Sequence, residues 1–256
     1  MDCPLLPSAE RVNRFPAHNY CSFAWFIHNE PMLISPASDS WAGKVVPRAV
    51  FGGPRPTPIV QLHSGPMQGF AMLLYPQALQ ALTGLEISAH VERFSPMSEV
   101  FDAEWQALSA QVLSADDDMA RVAVIEAFLE PRWQAVRAKG ATSSTAMGDW
   151  VRALAAHAAA SPWGHSARHV ERRIKSWAGQ PLRRLRRLDR VEQSFFEARD
   201  RHEAGDLSWA DIAAWGGYAD QAHLCRDIRE ITGHSPTELA RGLDEDEGFW
   251  AYRIWR

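Results

Sequence analysis

Arg172 and Arg226 hold the same place in two stretches of sequence that lie 54 residues apart. Ser166–Gly179 reads SARHVERRIKSWAG, and Asp220–Gly233 reads DQAHLCRDIREITG. His169/His223, Arg172/Arg226, Ile174/Ile228 and Gly179/Gly233 are identical; Ser166/Asp220, Val170/Leu224, Lys175/Arg229 and Trp177/Ile231 match in kind. The chemistry on offer is recognition. A guanidinium donates a two-pronged hydrogen bond to guanine or to a phosphate, and a carboxamide such as that of Gln221 pairs with adenine. In the first stretch the candidates for contact with nucleic acid are Ser166, Arg168, His169, Arg172 and Arg173. Ala167 is small and only permits close approach. In the second they are Gln221, Ala222, His223, Arg226 and Arg229. Whether Arg226 reads a base or holds a phosphate stays open at this level.

Each stretch must be a helix for these side chains to converge. Ser166 and Asp220 are strong N-caps, since their side-chain oxygens accept from free backbone N–H groups. Val170, Ile174 and Trp177 fall on one helical face, as do Leu224, Ile228 and Ile231. Gly179 and Gly233 suit the left-handed residue that ends a helix. Arg172 and Arg226 then lie opposite the apolar stripe, with Lys175 and Arg229 extending the outer face. Ahead of the second stretch, Ser208–Trp215 reads as a short capped helix, with Asp211 at the capping-box spacing. Gly216-Gly-Tyr-Ala follows as a tight turn. Helix, glycine turn and helix make a helix-turn-helix, whose second helix lies in the major groove. Between the two stretches, Leu182, Leu185, Leu188, Val191 and Phe195 mark one long helix over roughly 181–201.

Charge supports the same partner. The whole chain carries a formal net charge of -4, and residues 151–190 hold ten Lys and Arg against Glu171 and Asp189. A basic stripe in an acidic protein is the footprint that phosphates require, although a solvated helix face would look the same.

The 256 residues suffice for two domains. Residues 1–139 are punctuated by Pro and Gly. Short apolar runs at Ser22–Ile27, Val45–Phe51, Ile59–His63 and Phe70–Tyr75 read as strands. Gln77–Leu82, Glu104–Val112 and Met119–Lys139 read as helices, with Pro131 breaking the last or starting a turn. The expected architecture is an α+β N-terminal domain, strands then helices, with barrel-like closure left open. A polar linker over 140–148 follows, then an all-α domain over 149–256. That domain comprises helix-turn-helix units over roughly 149–180 and 205–242 and an aromatic tail over 244–256, expected to pack on either domain. Cys3, Cys21 and Cys225 fit neither a metal site nor a disulfide framework, which suits a reducing cytoplasm. No apolar run is long enough to span a bilayer, and no leader pattern opens the sequence.

The stretch DIAAWGGYADQAHLCRDIREITGHSPTEL resembles the second DNA-binding unit of AraC/XylS-family transcription regulators. The match lies at Ile212-Ala213, Gly217-Tyr218, Asp220-Gln221, His223-Leu224, Arg226, Gly233 and Ser235-Pro236, with Ile228 where the family usually has Phe. Ser166–Gly179 resembles the first unit, with Ile174 again in place of Phe. Pro162 there interrupts the expected supporting helix. The FAWF segment at Phe23–Phe26 and MQGFAMLLYPQALQALTG at Met67–Gly84 look similar to sensor domains of some members. The resemblance implies a regulator without catalytic activity or cofactor. Its partner is double-stranded DNA, met in successive major grooves. RNA polymerase, a small-molecule effector and a second copy of the chain are left open as further partners.

Two other readings stand beside this one. His18, His28, His63 and His90 could gather into a cupin-like metal site, making the chain an enzyme with a helical appendage. Alternatively, the helix-turn-helix has become a protein-interaction module. His169 and His223 sit in equivalent slots without clustered ligands, which favours a structural or phosphate-contacting role over metal. Cys225 reads as a small filler on the helix flank. Cys3 and Cys21 lack the four-cysteine cluster of methyl-accepting repair relatives. Trp25, Phe26, Trp41, Phe51 and Phe70 either line a pocket or fill a core.

Overall fold

The computed structural model describes residues 12–35, 40–137, 147–160 and 166–253. Most of the expected linker lies outside the described residues, as do Cys3, Pro162 and Trp255. Among the described residues the first half holds seven strands: β1 Val12–Phe15, β2 Cys21–His28, β3 Met32–Ser35, β4 Ala49–Gly52, β5 Ile59–Leu62, β6 Gln68–Leu74 and β7 Phe94–Pro96. They form two antiparallel sheets, ordered β1-β5-β3 and β6-β2-β4-β7. Among the described residues the ladders do not join, so the barrel option gives way to two open sheets.

Strand alternation explains the layers. Cys21, Phe23 and Trp25 on β2 point to one face, Ala24 and Phe26 to the other. The first face meets Leu79 of α1 (Pro76–Thr83), Met97 of α2 (Met97–Val100), Trp105 and Leu108 of α3 (Ala103–Ser114), and Ile125 of α4 (Asp118–Val136). The second face meets Leu33 and Ile59 of the smaller sheet. Trp25 and Phe51 have no exposed surface, and Phe23 stacks on Trp105 at 5.3 Å. These rings fill the core rather than wall an open pocket. The Trp25 indole N–H finds its partner in Ser109 Oγ at 3.0 Å.

Two expectations need correction. The strand foreseen at Val45–Phe51 is confined to β4, Ala49–Gly52. Pro131 neither breaks α4 nor starts a turn; the helix runs through it. Proline removes one N–H, and the acceptor four residues back, on Ala127, belongs to an exposed residue that water can serve. Arg132 also donates to the Phe128 carbonyl at 2.8 Å and lies over the Phe128 ring, bracing that turn.

The second half is helical: α5 Met147–Ala160, α6 Ala167–Ala178, α7 Leu182–Glu203, α8 Trp209–Trp215, α9 Gln221–Thr232, α10 Pro236–Glu245 and α11 Trp250–Arg253. The α6 and α9 stripes predicted from the repeat enter one core with Leu154, Leu185 and Val191. Ile174 and Leu224 are fully buried there, each worth roughly 1.5–3 kcal/mol over an exposed position.

The halves interlock. The Ala17 N–H donates to the Ile231 carbonyl at 2.7 Å, and Gln180 donates to Asn19 Oδ1 at 3.1 Å. Tyr75 stacks on Trp150 at 4.8 Å. The aromatic tail packs on both halves. Phe249 and Tyr252 are buried in the helical core, and the Tyr252 hydroxyl donates to the Thr232 carbonyl at 3.0 Å. Trp250 donates to Asn13 Oδ1 at 2.9 Å and meets the Phe15 ring edge-on. Asp246 pairs with Arg14 at 2.9 Å, so part of the acid run serves the junction. Tyr252→Phe leaves a buried carbonyl unpaired and should cost about 1–3 kcal/mol in denaturant unfolding.

His18 adds a pH dependence. Its Nδ1–H donates to the Tyr20 carbonyl at 3.1 Å. Burial and the nearby Arg55 cation push its pKa down from 6.5 to about 4. Between those values the unfolded chain holds a proton that the folded chain refuses. Stability is therefore full above about pH 6.5 and falls as pH drops towards 4. Urea midpoints at about pH 7 and about pH 4.5 should differ less for His18→Gln than for the parent chain.

Candidate nucleic-acid interface

The two capped helices start alike. Ser166 Oγ accepts from the His169 N–H at 3.3 Å, and Asp220 Oδ1 accepts from the His223 N–H at 2.6 Å. Both histidines serve these helix starts. His169 Nδ1 lies 2.9 Å from Ser166 Oγ, and the His223 ring meets the Tyr218 ring edge-on at 5.2 Å. Tyr218 is the aromatic of the turn, buried beneath Arg190, whose guanidinium sits 4.4 Å from the ring centre. Gly217 precedes it with φ of +68°, a conformation that side chains disfavour. Ser208 Oγ caps α8 by accepting from the Asp211 N–H. Helix, turn and helix thus stand as the repeat predicted.

The structure sorts the arginines that charge counting pooled. Asp227 lies on the inner side of α9 with a side chain 4% exposed. It accepts from Arg187 at 2.7 Å and from Arg190 at 3.1 Å, both on α7. Arg187 also reaches Glu230 at 2.6 Å, and Arg184 reaches Glu230 at 3.3 Å. Burial works against the Arg187 cation, but the hydrogen bonds it donates to Asp227 and Glu230, with their negative charge, outweigh it and raise its pKa. Arg184 further donates to the Pro56 carbonyl of the sheet half. Three basic residues of the 151–190 stripe are therefore engaged inside the protein.

Of the ten expected contact residues, Arg168, Arg172, Gln221, Ala222 and Arg226 are exposed on the outer faces of α6 and α9. No acidic side chain among the described residues pairs with Arg168, Arg172 or Arg226. Arg229 is exposed and pairs with Glu238 at 3.2 Å, a surface contact that a phosphate can displace. Ser166, His169 and His223 are committed to the helix starts. Arg173 turns away from the outer face, and its guanidinium donates to the Ala158 carbonyl of α5. Lys175, Arg183 and Arg186 are also exposed, close to the same helices in sequence. Asp227 escaped sequence reasoning, although a charge bordering the Leu224–Ile228–Ile231 stripe was a signal.

The sheet half touches the far ends of both helices. Gly179, with φ of +71°, ends α6, and a Cβ there would meet Val91 Cγ2 at 2.7 Å. Gly233 ends α9 beside Pro58. The starts of both helices lie at the opposite ends. The histidines of the sheet half are apart: His18 is at the domain junction, His63 is bonded with the Gly65 carbonyl, and His90 lies against Phe51. No group of three His, Cys, Asp or Glu among the described residues could hold a metal ion. Nor is any described helix long and apolar enough to cross a membrane.

No protein-family model matches the chain. No curated protein matches it either. Among solved structures, ToxT from Vibrio cholerae O395 matches at 11% identity with a TM-score of 0.41, covering 92% of this chain and 97% of that one. Unsaturated fatty acid bound wild-type ToxT from Vibrio cholerae strain SCE256 matches at 11% identity with a TM-score of 0.38, covering 89% and 92%. Likeness at this level decides neither family nor function.

Removing Asp227 would leave Arg187 and Arg190 facing each other at the α7–α9 contact. Asp227→Ala should lower stability by roughly 3 kcal/mol, since both cations are only partly wet. An equilibrium unfolding curve measures this.

Proposed function

We propose that this chain is a sequence-specific, double-stranded-DNA-binding transcription regulator of the AraC/XylS type. One observation carries the reading: two equivalent capped helices each present an outward arginine, Arg172 or Arg226, with no acidic partner inside the described protein. A helix of such width fits the major groove, with its first residues at base edges. Arg229 and Lys175 extend each outer face towards phosphates. The exposed Arg183 and Arg186 on α7 add cations for backbone contact. The chain works in the cytoplasm on this reading and catalyses no reaction.

The sheet half is then the input. It reaches the ends of α6 and α9 opposite to the reading ends, so it can alter their spacing without covering them. An effector or a second copy of the chain bound to that half would act through this contact. RNA polymerase would be met by surfaces outside α6 and α9. The metal-enzyme alternative has no ligand cluster among the described residues. The interaction-module alternative gives no reason for two exposed arginines at matched positions, neither paired with an acid among the described residues.

Selection from randomised duplex DNA at physiological salt should enrich a site with two short blocks about one helical turn apart. Arg172→Ala and Arg226→Ala should each weaken binding to that site by about 1–3 kcal/mol while leaving the unfolding midpoint unchanged. Weak, salt-sensitive binding without enrichment would contradict the proposal.

A further inference from the structure

The two reading helices are built alike but do not present the same chemistry, and this rests on reading both as DNA-contacting. Residues at the first, second, fifth and sixth helical positions line the outer face of each start. In α6 these are Ala167, Arg168, Glu171 and Arg172. In α9 they are Gln221, Ala222, Cys225 and Arg226. Only the sixth position is shared. Arg168 and Arg172, four residues apart on one face, hold their Cβ atoms about 5–6 Å apart. Both are exposed, and no acidic side chain among the described residues pairs with either. Two exposed guanidiniums at that spacing suit the O6 and N7 acceptors of two guanines one or two base pairs apart. Glu171 between them accepts from a cytosine amino group. The start of α9 offers the opposite set. Gln221 matches adenine, and Ala222 and half-exposed Cys225 offer apolar surface to a thymine methyl. Arg226 alone is suited to guanine.

We infer that the operator is not a repeat of one block: α6 reads a G·C-dominated block, and α9 reads an A·T-dominated block containing one guanine. The structure supplies what the sequence alone did not. It removes Arg173 from the first set by tying it to the Ala158 carbonyl, and His169 and His223 by tying them to the helix starts. What remains differs in kind between the two helices.

The test is selection and sequencing on randomised duplex DNA with the full chain and with the triple variant Ala167→Gln, Arg168→Ala, Glu171→Cys. The parent chain is expected to enrich two unlike blocks of these compositions. The variant is expected to turn the G·C block into a second A·T-dominated block. The substituted side chains are not buried, and a melting curve verifies the fold. Arg168→Ala alone is expected to relax discrimination at a single G·C pair by roughly 5- to 100-fold. Two blocks of like composition from the parent chain, a single block, or a variant that leaves the first block unchanged would overturn this inference while leaving DNA binding in place. Enrichment of no block at all would overturn the proposed function and this inference together.

Discussion

Asp227 is a carboxylate buried in a helix whose outer face is basic. It sits between Arg187 and Arg190 of α7, and Glu230 extends the same cluster to Arg184. Three guanidiniums along one side of a long helix would repel one another if left alone. The two acids of α9 make that row into a docking rail. Everything outward depends on it: the inner acids hold α9 against α7, so Arg226 faces solvent. Arg190 also covers the Tyr218 ring, so the same rail fixes the turn between α8 and α9.

The first unit lacks this device. The position equivalent to Asp227 is Arg173, which donates to the Ala158 carbonyl of α5. The end of α6 is instead held by the sheet half, where Gly179 meets Val91 and Gln180 meets Asn19. The two equivalent helices are thus anchored by different means. One is held by ion pairs to the connecting helix, the other by packing on the sheet half. The Arg184 contact with the Pro56 carbonyl links the two anchors. A change in the sheet half therefore reaches the first helix at Gly179, and the second both at Ile231 and Gly233 and through α7.

Much of this was legible in the residues. The caps at Ser166, Asp220 and Ser208, the helix ends at Gly179 and Gly233, and the α7 stripe follow from local rules. So does the tail: four aromatics behind an acid run demand a surface, and Phe249 and Tyr252 find it. The sheet half was legible where an apolar run stood between turn residues, even at four residues as in β4 and β5. β1, β3 and β7 have three or four residues each and too little alternation to declare themselves. Charge counting overstated the basic surface because it cannot tell Arg187, paired within the fold, from Arg172, exposed on the outer face of α6. That distinction depends on two helices meeting across 40 residues of sequence, which no local window contains.

On the proposed reading, two unlike heads are held at a fixed separation by one connecting helix and read DNA together. The most direct test inserts about five base pairs, half a helical turn, between the two blocks of a selected site and measures affinity at constant salt. The account predicts a fall to the affinity of a duplex carrying one block alone. Affinity that is unchanged by the insertion would mean that one helix accounts for all the binding and would contradict the claim.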